Sequence, residues 1–368
     1  METQAREVDV AVIGAGQAGL SAAYFLRRAG FAAGTGYVVL DADDGPGGAW
    51  RHRWPSLRFD RAHGFFPLPG MPVDGVDATT PAATIVAEYF AAYERRFDLP
   101  VLRPVRALAV RDHADGRLLI ETDAGDWSTR ALLNATGTWT KPFWPRYQGM
   151  ETFGGRQLHT ADYRRAEDFA GQHVVVVGGG HSAVQLLAEI SEVTTTTWVT
   201  RREPDWREGP FDSDAGRAAV AMVEAAVREG RRPSSVVSVT GLIHTPATLA
   251  AQERGALDRL PMFDRITGDG VAWDDGRFVK ADVILWATGF RWALDHLAPL
   301  RLRERGGGIT MDSTVVARDP RVHLLGYGPS ASTIGANRAG RAAVRDVRAF
   351  LDSGRAPRSG VERAATAA

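Results

Sequence analysis

The chain has 368 residues, 44% hydrophobic and 24% charged, and its 44 basic residues balance 44 acidic ones. Length and composition predict a packed globular protein of two or three domains, and the zero formal charge leaves no basic field for nucleic acid and no polybasic membrane anchor. There is no cysteine, which excludes disulfide frameworks, thiolate metal sites, catalytic thiols and any reductase that works through a redox-active cysteine pair.

No metal site is expected. The apolar stretch 8–13 is too short for a signal peptide and runs straight into a glycine turn. No apolar run approaches membrane-spanning length, so a cytoplasmic protein is expected. The 40 glycines fit several tight nucleotide turns, because no repeat is visible.

Residues 8–13 read as a central parallel strand. Gly14, Gly16 and Gly19 follow as G-x-G-x-x-G, with Gln17 and Ala18 inside the turn, and an apolar helix runs from 19 to about 28. The first glycine makes the turn, the second lets phosphates reach the backbone and the third lets helix and strand pack closely. A second strand, 37–40, ends in Asp41. Its carboxylate can accept both ribose hydroxyls of an adenosine and would repel a 2′-phosphate, so this site suits FAD or NAD rather than NADP.

Gly47, Gly48 and Trp50 follow as G-G-A-W, then Trp54-Pro55-Ser56-Leu57-Arg58-Phe59-Asp60. His63, Phe65, Phe66, Leu68, Pro69 and Gly70 form an apolar loop suited to a flavin cover or substrate wall. Thr80-Pro81 predicts a helix start, with Thr80 as the cap and proline in the first turn. Ile85, Tyr89, Tyr93 and Phe97 then share one face. Residues 101–110, 118–122 and 127–133 predict an antiparallel meander with turns at Asp115-Gly116 and Gly125-Asp126. Ala135-Thr136-Gly137 comes next.

A second buried strand is predicted at 174–177, running into Gly178, Gly180, His181, Ser182 and Ala183, with a helix from 182 to 190. The following strand, 195–200, ends in Arg201-Arg202 instead of an acid. Two guanidinium groups suit a 2′-phosphate through bidentate, charge-assisted bonds, so this second site reads as one for NADPH. Residues 203–262 carry a helix at 214–228 but no recognisable spacing of functional groups. A hairpin spans 271–278, and a strand at 283–287 leads into Thr288-Gly289-Phe290, repeating the Ala-Thr-Gly. A strand at 322–325 precedes a long helix opened by Thr333, Ile334 and Asn337, whose first N–H groups can stabilise negative charge on a reduced flavin. Arg338, Arg341, Arg345 and Arg348 share one face of it, read as solvated, with a homodimer contact as the alternative. The last residues, from 354, read as a frayed tail.

Between the two sites, Phe153, Gly155, His159 and Tyr163 are spaced F-x-G-x-x-x-H-x-x-x-Y. Neither helix nor strand periodicity demands that spacing. It resembles the fingerprint of the class B flavin monooxygenases, the flavin-containing and Baeyer–Villiger type enzymes, where it links the FAD and NADPH domains. G-G-A-W resembles the family's G-G-x-W, where the chain runs along the flavin. The stretch from Trp54 to Asp60 resembles a degenerate Baeyer–Villiger Tyr-Pro-Gly followed by an aspartate. The two Ala-Thr-Gly stretches resemble those of two-dinucleotide-domain flavoproteins.

The resemblance implies an α/β fold of two Rossmann-like domains with small antiparallel β-meanders. The FAD domain would be residues 1–164 and 287–368, with the NADPH domain, 165–286, inserted in it. Cofactor contacts would extend to Gly48, Trp50, Val105, Thr136, Gly137, Thr288, Gly289 and Phe290. Asp60 and His63 would be the catalytic candidates, and Arg207 a candidate for the cation that Baeyer–Villiger enzymes place near the flavin. NADPH would reduce FAD, O₂ would add at flavin C4a, and the (hydro)peroxide would oxygenate a small organic substrate. Asp60 favours nucleophilic attack on ketones, while Tyr163 at the end of the fingerprint favours attack on amines and sulfides; both stay open. Tyr327 follows Gly326 where many such flavoproteins place an aspartate on the ribityl chain. Two other readings are an NADPH-dependent reductase with a non-oxygen acceptor and a non-enzymatic flavin-binding redox sensor.

Overall fold

The computed structural model describes residues 5–62, 65–207, 213–233 and 241–353. The chain begins with β1 (Arg6–Ile13), α1 (Gln17–Arg28), β2 (Tyr37–Leu40), α2 (Ala82–Arg96), β3 (Val101–Leu102), β4 (Ala107–Asp112), β5 (Leu118–Thr122) and β6 (Trp127–Asn134). β1 lies between β2 and β6, parallel to both. β6 serves two partners along its length: its first residues pair antiparallel with β5, while Leu132–Asn134 pair parallel with a strand from the far end of the chain. The expected meander is therefore half right. β4 and β5 are antiparallel, but 101–110 is not one strand. Val101 and Leu102 pair with β2 as a parallel edge, and the chain turns at Pro104 before β4 starts.

A second sheet follows, built from β7 (Arg156–His159), β8 (Val174–Val177), β9 (Thr196–Thr200), β12 (Arg259–Pro261) and β16 (Val283–Trp286) in the order β12-β9-β8-β16-β7. All its pairings are parallel. The intervening elements are α3 (His181–Ile190), a short pair β10 (Trp206–Arg207) and β11 (Leu242–Ile243), α4 (Ser213–Arg228), α5 (Pro246–Glu253) and a three-stranded sheet of β13 (Arg265–Thr267), β14 (Gly270–Ala272) and β15 (Phe278–Lys280). β8 explains its unbroken valines. Val174 and Val176 pack against α3 on one face, and Val175 and Val177 pack towards Val271, Trp273 and Trp286 on the other. A parallel strand covered on both faces needs no alternation. β7, inside the linker, forms one edge of this sheet by pairing with β16.

The chain then returns to the first sheet through β17 (Met311–Asp312), β18 (Val315–Val316) and β19 (Asp319–Leu324), which pairs with β6, and ends in α6 (Thr333–Asp352). α6 lies on α1, and with α2 these helices bury Leu20, Phe90, Tyr93, Val344 and Val347 against one face of the sheet. Its four arginines are exposed. α2 starts differently from expectation. Pro81 itself occupies the cap position and no side chain caps the helix, while Asp77 takes the Thr79 N–H and hydroxyl just upstream. Ile85, Tyr89 and Tyr93 do form the buried stripe. Among the described residues no helix is long and apolar enough to cross a membrane.

Candidate nucleotide and redox site

The two nucleotide turns are built alike, and the two Ala-Thr-Gly stretches explain each other. Gly14 has φ +97°, and a Cβ there would sit 2.6 Å from the Ala135 carbonyl oxygen. Gly178 is its counterpart: a Cβ would sit 2.2 Å from the Ala287 carbonyl oxygen. Ala135 N–H donates to Ile13 O at 2.8 Å, and Ala287 N–H donates to Val177 O at 2.8 Å. In both halves the alanine thus lies directly against the glycine turn.

The turns differ at their third position. A Cβ on Gly19 would meet Gly14 O at 1.8 Å, whereas the second turn accommodates Ala183 fully buried. Gly16 packs on the G-G-A-W stretch, since a Cβ on Gly48 would lie 2.8 Å from Gly16 Cα. Gln17 begins α1 beside Ala18. Its Nε2 donates to Phe66 O at 3.0 Å and Asn337 Oδ1 at 2.9 Å, and Asn337 donates on to Pro67 O at 2.8 Å. Gln17 Oε1 is buried without a partner among the described residues. An orphaned acceptor at a glycine-rich helix start is what a hydroxyl-bearing dinucleotide would satisfy. The residues present therefore fit a flavin dinucleotide.

Asp41 is buried, and Arg103 Nε donates to its Oδ2 at 2.7 Å. The same guanidinium grips both oxygens of Glu94 at 2.7 Å. One cation shared by two carboxylates leaves the locality net negative, which keeps a 2′-phosphate unfavourable. Val105 N–H donates to Asp41 O at 2.8 Å, which places Val105 beside the acid. Arg201 and Arg202 are exposed just past β9, and neither makes an ion pair among the described residues. His181 and Ser182 occupy the first turn of α3, with Gly180 at its cap.

Each fingerprint side chain has a structural reason. Phe153 joins the core beneath β13–β15. A Cβ on Gly155 would meet Asp282 O at 2.3 Å. His159 is fully buried; Ala161 N–H donates to its Nδ1 at 3.1 Å, so Nε2 carries the proton and donates to Gly289 O at 3.0 Å. Burial lowers its pKa, so the ring is neutral. Tyr163 OH donates to Glu189 Oε2 at 2.9 Å, and burial followed by the Glu189 charge pushes its pKa up. Glu189 also receives Ser56 Oγ at 2.6 Å and Trp54 Nε1 at 3.3 Å. The two residues that depart from Tyr-Pro-Gly therefore bind α3 through Glu189.

The crossings themselves run side by side. Phe143 N–H donates to Gly289 O and Ala293 N–H to Gly137 O, both at 2.9 Å, and Thr136 Oγ1 donates to Ala293 O at 2.7 Å. Thr288 Oγ1 donates to Phe143 O. Past the two glycines, Trp139 stacks on Phe290 at 5.0 Å, and His52 stacks on Trp139 at 5.7 Å. This aromatic ladder was not foreseen. Neither was Arg53, whose guanidinium lies over Trp139 at 5.2 Å and Trp50 at 5.9 Å.

Asp60 sits in a single helical turn, Phe59–Arg61, exposed, with its N–H on Ala78 O at 2.9 Å. His63 lies outside the described residues. Ile334 is exposed and Thr333 opens α6, where Ser332 caps the Gly335 N–H at 3.1 Å. Tyr327 is buried against Trp292, its hydroxyl accepting the Ile309 N–H at 3.2 Å, so its side chain serves the core.

The family model described as pyridine nucleotide-disulphide oxidoreductase matches residues 11–236. A flavin-containing monooxygenase from Stenotrophomonas maltophilia is 40% identical, with a TM-score of 0.80 over 94% of this chain and 99% of that one. The chain belongs to the pyridine nucleotide-disulphide oxidoreductase family and, within it, to the flavin-containing monooxygenases. With no cysteine, it shares the family's nucleotide architecture without the means for dithiol chemistry of its own. Indole-3-pyruvate monooxygenase YUCCA1 of Oryza sativa is 28% identical over 76% of each chain. An uncharacterized oxidoreductase, CzcO, of Bacillus velezensis is 30% identical over 53% of this chain. That match spans about half of the relative's length, 55%.

Proposed function

We propose that the protein is an NADPH-dependent FAD monooxygenase acting on a small organic substrate. The balance would be NADPH + H⁺ + O₂ + substrate giving NADP⁺ + H₂O + oxygenated substrate. The observation that carries this reading is the contrast between two otherwise matched turns: the first strand–turn–helix ends on Asp41, the second on Arg201 and Arg202. FAD, when bound, supplies the two-electron store between nicotinamide and O₂ and the oxygen activation.

The chain's own residues would divide the work as follows. Backbone N–H groups at the starts of α1 and α3 hold the two pyrophosphates. Asp41, fixed by Arg103, accepts the flavin adenosine hydroxyls. Arg201 and Arg202 grip the 2′-phosphate of NADPH. Neutral His159 pins the second crossing to the linker, and Trp139 and Phe290 supply an apolar wall that excludes water. Asp60 is the carboxylate for orienting a cationic partner or moving a proton during oxygen transfer. Residues before the linker and after β16 would form the FAD unit, with the NADPH unit between them. A dimer through α6 is not needed by any of these roles.

The test is anaerobic bleaching of the flavin by NADPH, followed by turnover of amines, sulfides and ketones under isotopically labelled O₂. Label in one product supports the proposal. Bleaching with no labelled product, and electrons passing faster to a quinone than to O₂, would replace it with the reductase reading.

A further inference from the structure

Residues 51–53 are three successive basic side chains with unequal fates. Arg51 pairs with Asp44 at 2.5 Å, and His52 Nε2 lies 3.1 Å from both Asp43 oxygens. Arg53 has no hydrogen bond or ion pair to its guanidinium among the described residues, although it is partly buried and its pKa is pulled below the ordinary value by burial. An arginine stays protonated regardless. Its guanidinium carbon lies over the Trp50 ring at 5.9 Å and over the Trp139 ring at 5.2 Å. Its N–H donors have no acceptor among the described residues. Trp50 ends the G-G-A-W stretch that packs on Gly16, and Trp139 stacks on Phe290 of the second crossing. Arg53 therefore stands where the G-G-A-W stretch and the two crossings meet.

We infer that Arg53 is a specificity residue that receives a carboxylate of the organic substrate, so that the substrate is an organic monoanion with an apolar body. The inference rests on the monooxygenase reading above and narrows its substrate class. A planar two-oxygen anion matches the fork of donors that the chain leaves without an acceptor. The two indoles beside the cation offer apolar surface to the rest of the molecule. A phosphate dianion fits worse, because Asp43 and Asp44 have taken the neighbouring cations and add negative charge close by.

The experiment uses the FAD-loaded protein and benzoate as probe, with benzamide as its uncharged counterpart, read from the flavin absorbance spectrum. Benzoate is expected to perturb the spectrum saturably and to bind more tightly than benzamide. Arg53→Met should weaken benzoate about 10–100-fold, the range lost with a charge-assisted bond, with Arg53→Lys between the two. In turnover, the preference for para-(methylsulfanyl)benzoate over thioanisole should collapse in Arg53→Met through KM rather than kcat. Equal affinity for benzoate and benzamide, or an unchanged benzoate affinity in Arg53→Met, overturns the inference. If Arg53→Met fails to retain FAD, Arg53→Lys decides: a benzoate affinity equal to that of the unsubstituted protein overturns it, and an intermediate one supports it. Benzoate binding that needs Arg53 in a protein that oxygenates neither sulfide would instead defeat the monooxygenase reading and leave the anion site standing.

Discussion

Removing Glu189 tests whether the end of the fingerprint is structural. Its carboxylate gathers three donors from two segments: Trp54 and Ser56 ahead of α2, and Tyr163 after β7. In Glu189→Ala the Tyr163 hydroxyl, in a residue 1% exposed, is stranded away from water at a cost of about 1–3 kcal/mol. The Trp54 bond is long at 3.3 Å and adds about 0.5–1 kcal/mol. Ser56 is exposed, so water replaces its partner at little cost. The sum is about 1.5–4 kcal/mol. Over 368 residues, an unfolding entropy of about 2.1 cal/mol/K per residue converts this to a Tm lower by about 2–5 °C. Tyr163→Phe removes one donor while Glu189 keeps two others, so about 1 kcal/mol is expected. The assay is thermal unfolding followed by circular dichroism and by release of flavin fluorescence at fixed FAD. Adding Tyr163→Phe to Glu189→Ala should cost at most about 0.5 kcal/mol more, because the shared bond is already gone. A Glu189→Ala protein that melts like the unsubstituted one, or a Tyr163→Phe that costs more than Glu189→Ala, refutes the reasoning.

Other outcomes are equally specific. Arg201→Ala with Arg202→Ala should raise KM for NADPH by about tenfold or more while leaving NADH nearly unaffected, measured as anaerobic flavin reduction. Gly14→Ala puts a Cβ 2.6 Å from Ala135 O at φ +97°, so the purified protein should carry little FAD by its absorbance ratio. Partly buried His296 and buried His323 are held down to about 4 by desolvation, below the unfolded value of about 6.5. As pH falls from about 6.5 towards 4, the unfolded chain takes up protons that the folded one refuses. Stability should then drop by up to about 1.4 kcal/mol per pH unit per histidine, and His323→Gln should flatten that slope in urea titrations. Asp60→Asn removes an exposed carboxylate and should change stability by no more than about 0.5 kcal/mol. A shift in the ratio of sulfide to ketone oxygenation would then report chemistry rather than folding; an unchanged ratio removes Asp60 from the mechanism.

What could be read from sequence was whatever backbone geometry imposes. Gly14, Gly19 and Gly178 have no room for a side chain, so the turns announce themselves, and the second Ala-Thr-Gly announces itself by repeating the first. The fingerprint could be seen but not explained, because its partners are remote: Gly155 answers to Asp282, His159 to Gly289 and Tyr163 to Glu189. Strand pairing was the weakest point for the same reason. Pro104 marks locally that the strand breaks before β4, but nothing local shows that Val101 and Leu102 extend β2 in parallel. Arg53 escaped notice because a basic run beside an acidic one reads as a solvated pair of charges. Asp43 and Asp44 do pair with His52 and Arg51, and only the fold shows that the next cation lies over two tryptophans instead. A charge that folding desolvates and leaves unpaired costs stability, and a binding role for Arg53 gives that cost a reason: an incoming anion supplies the partner the chain withholds.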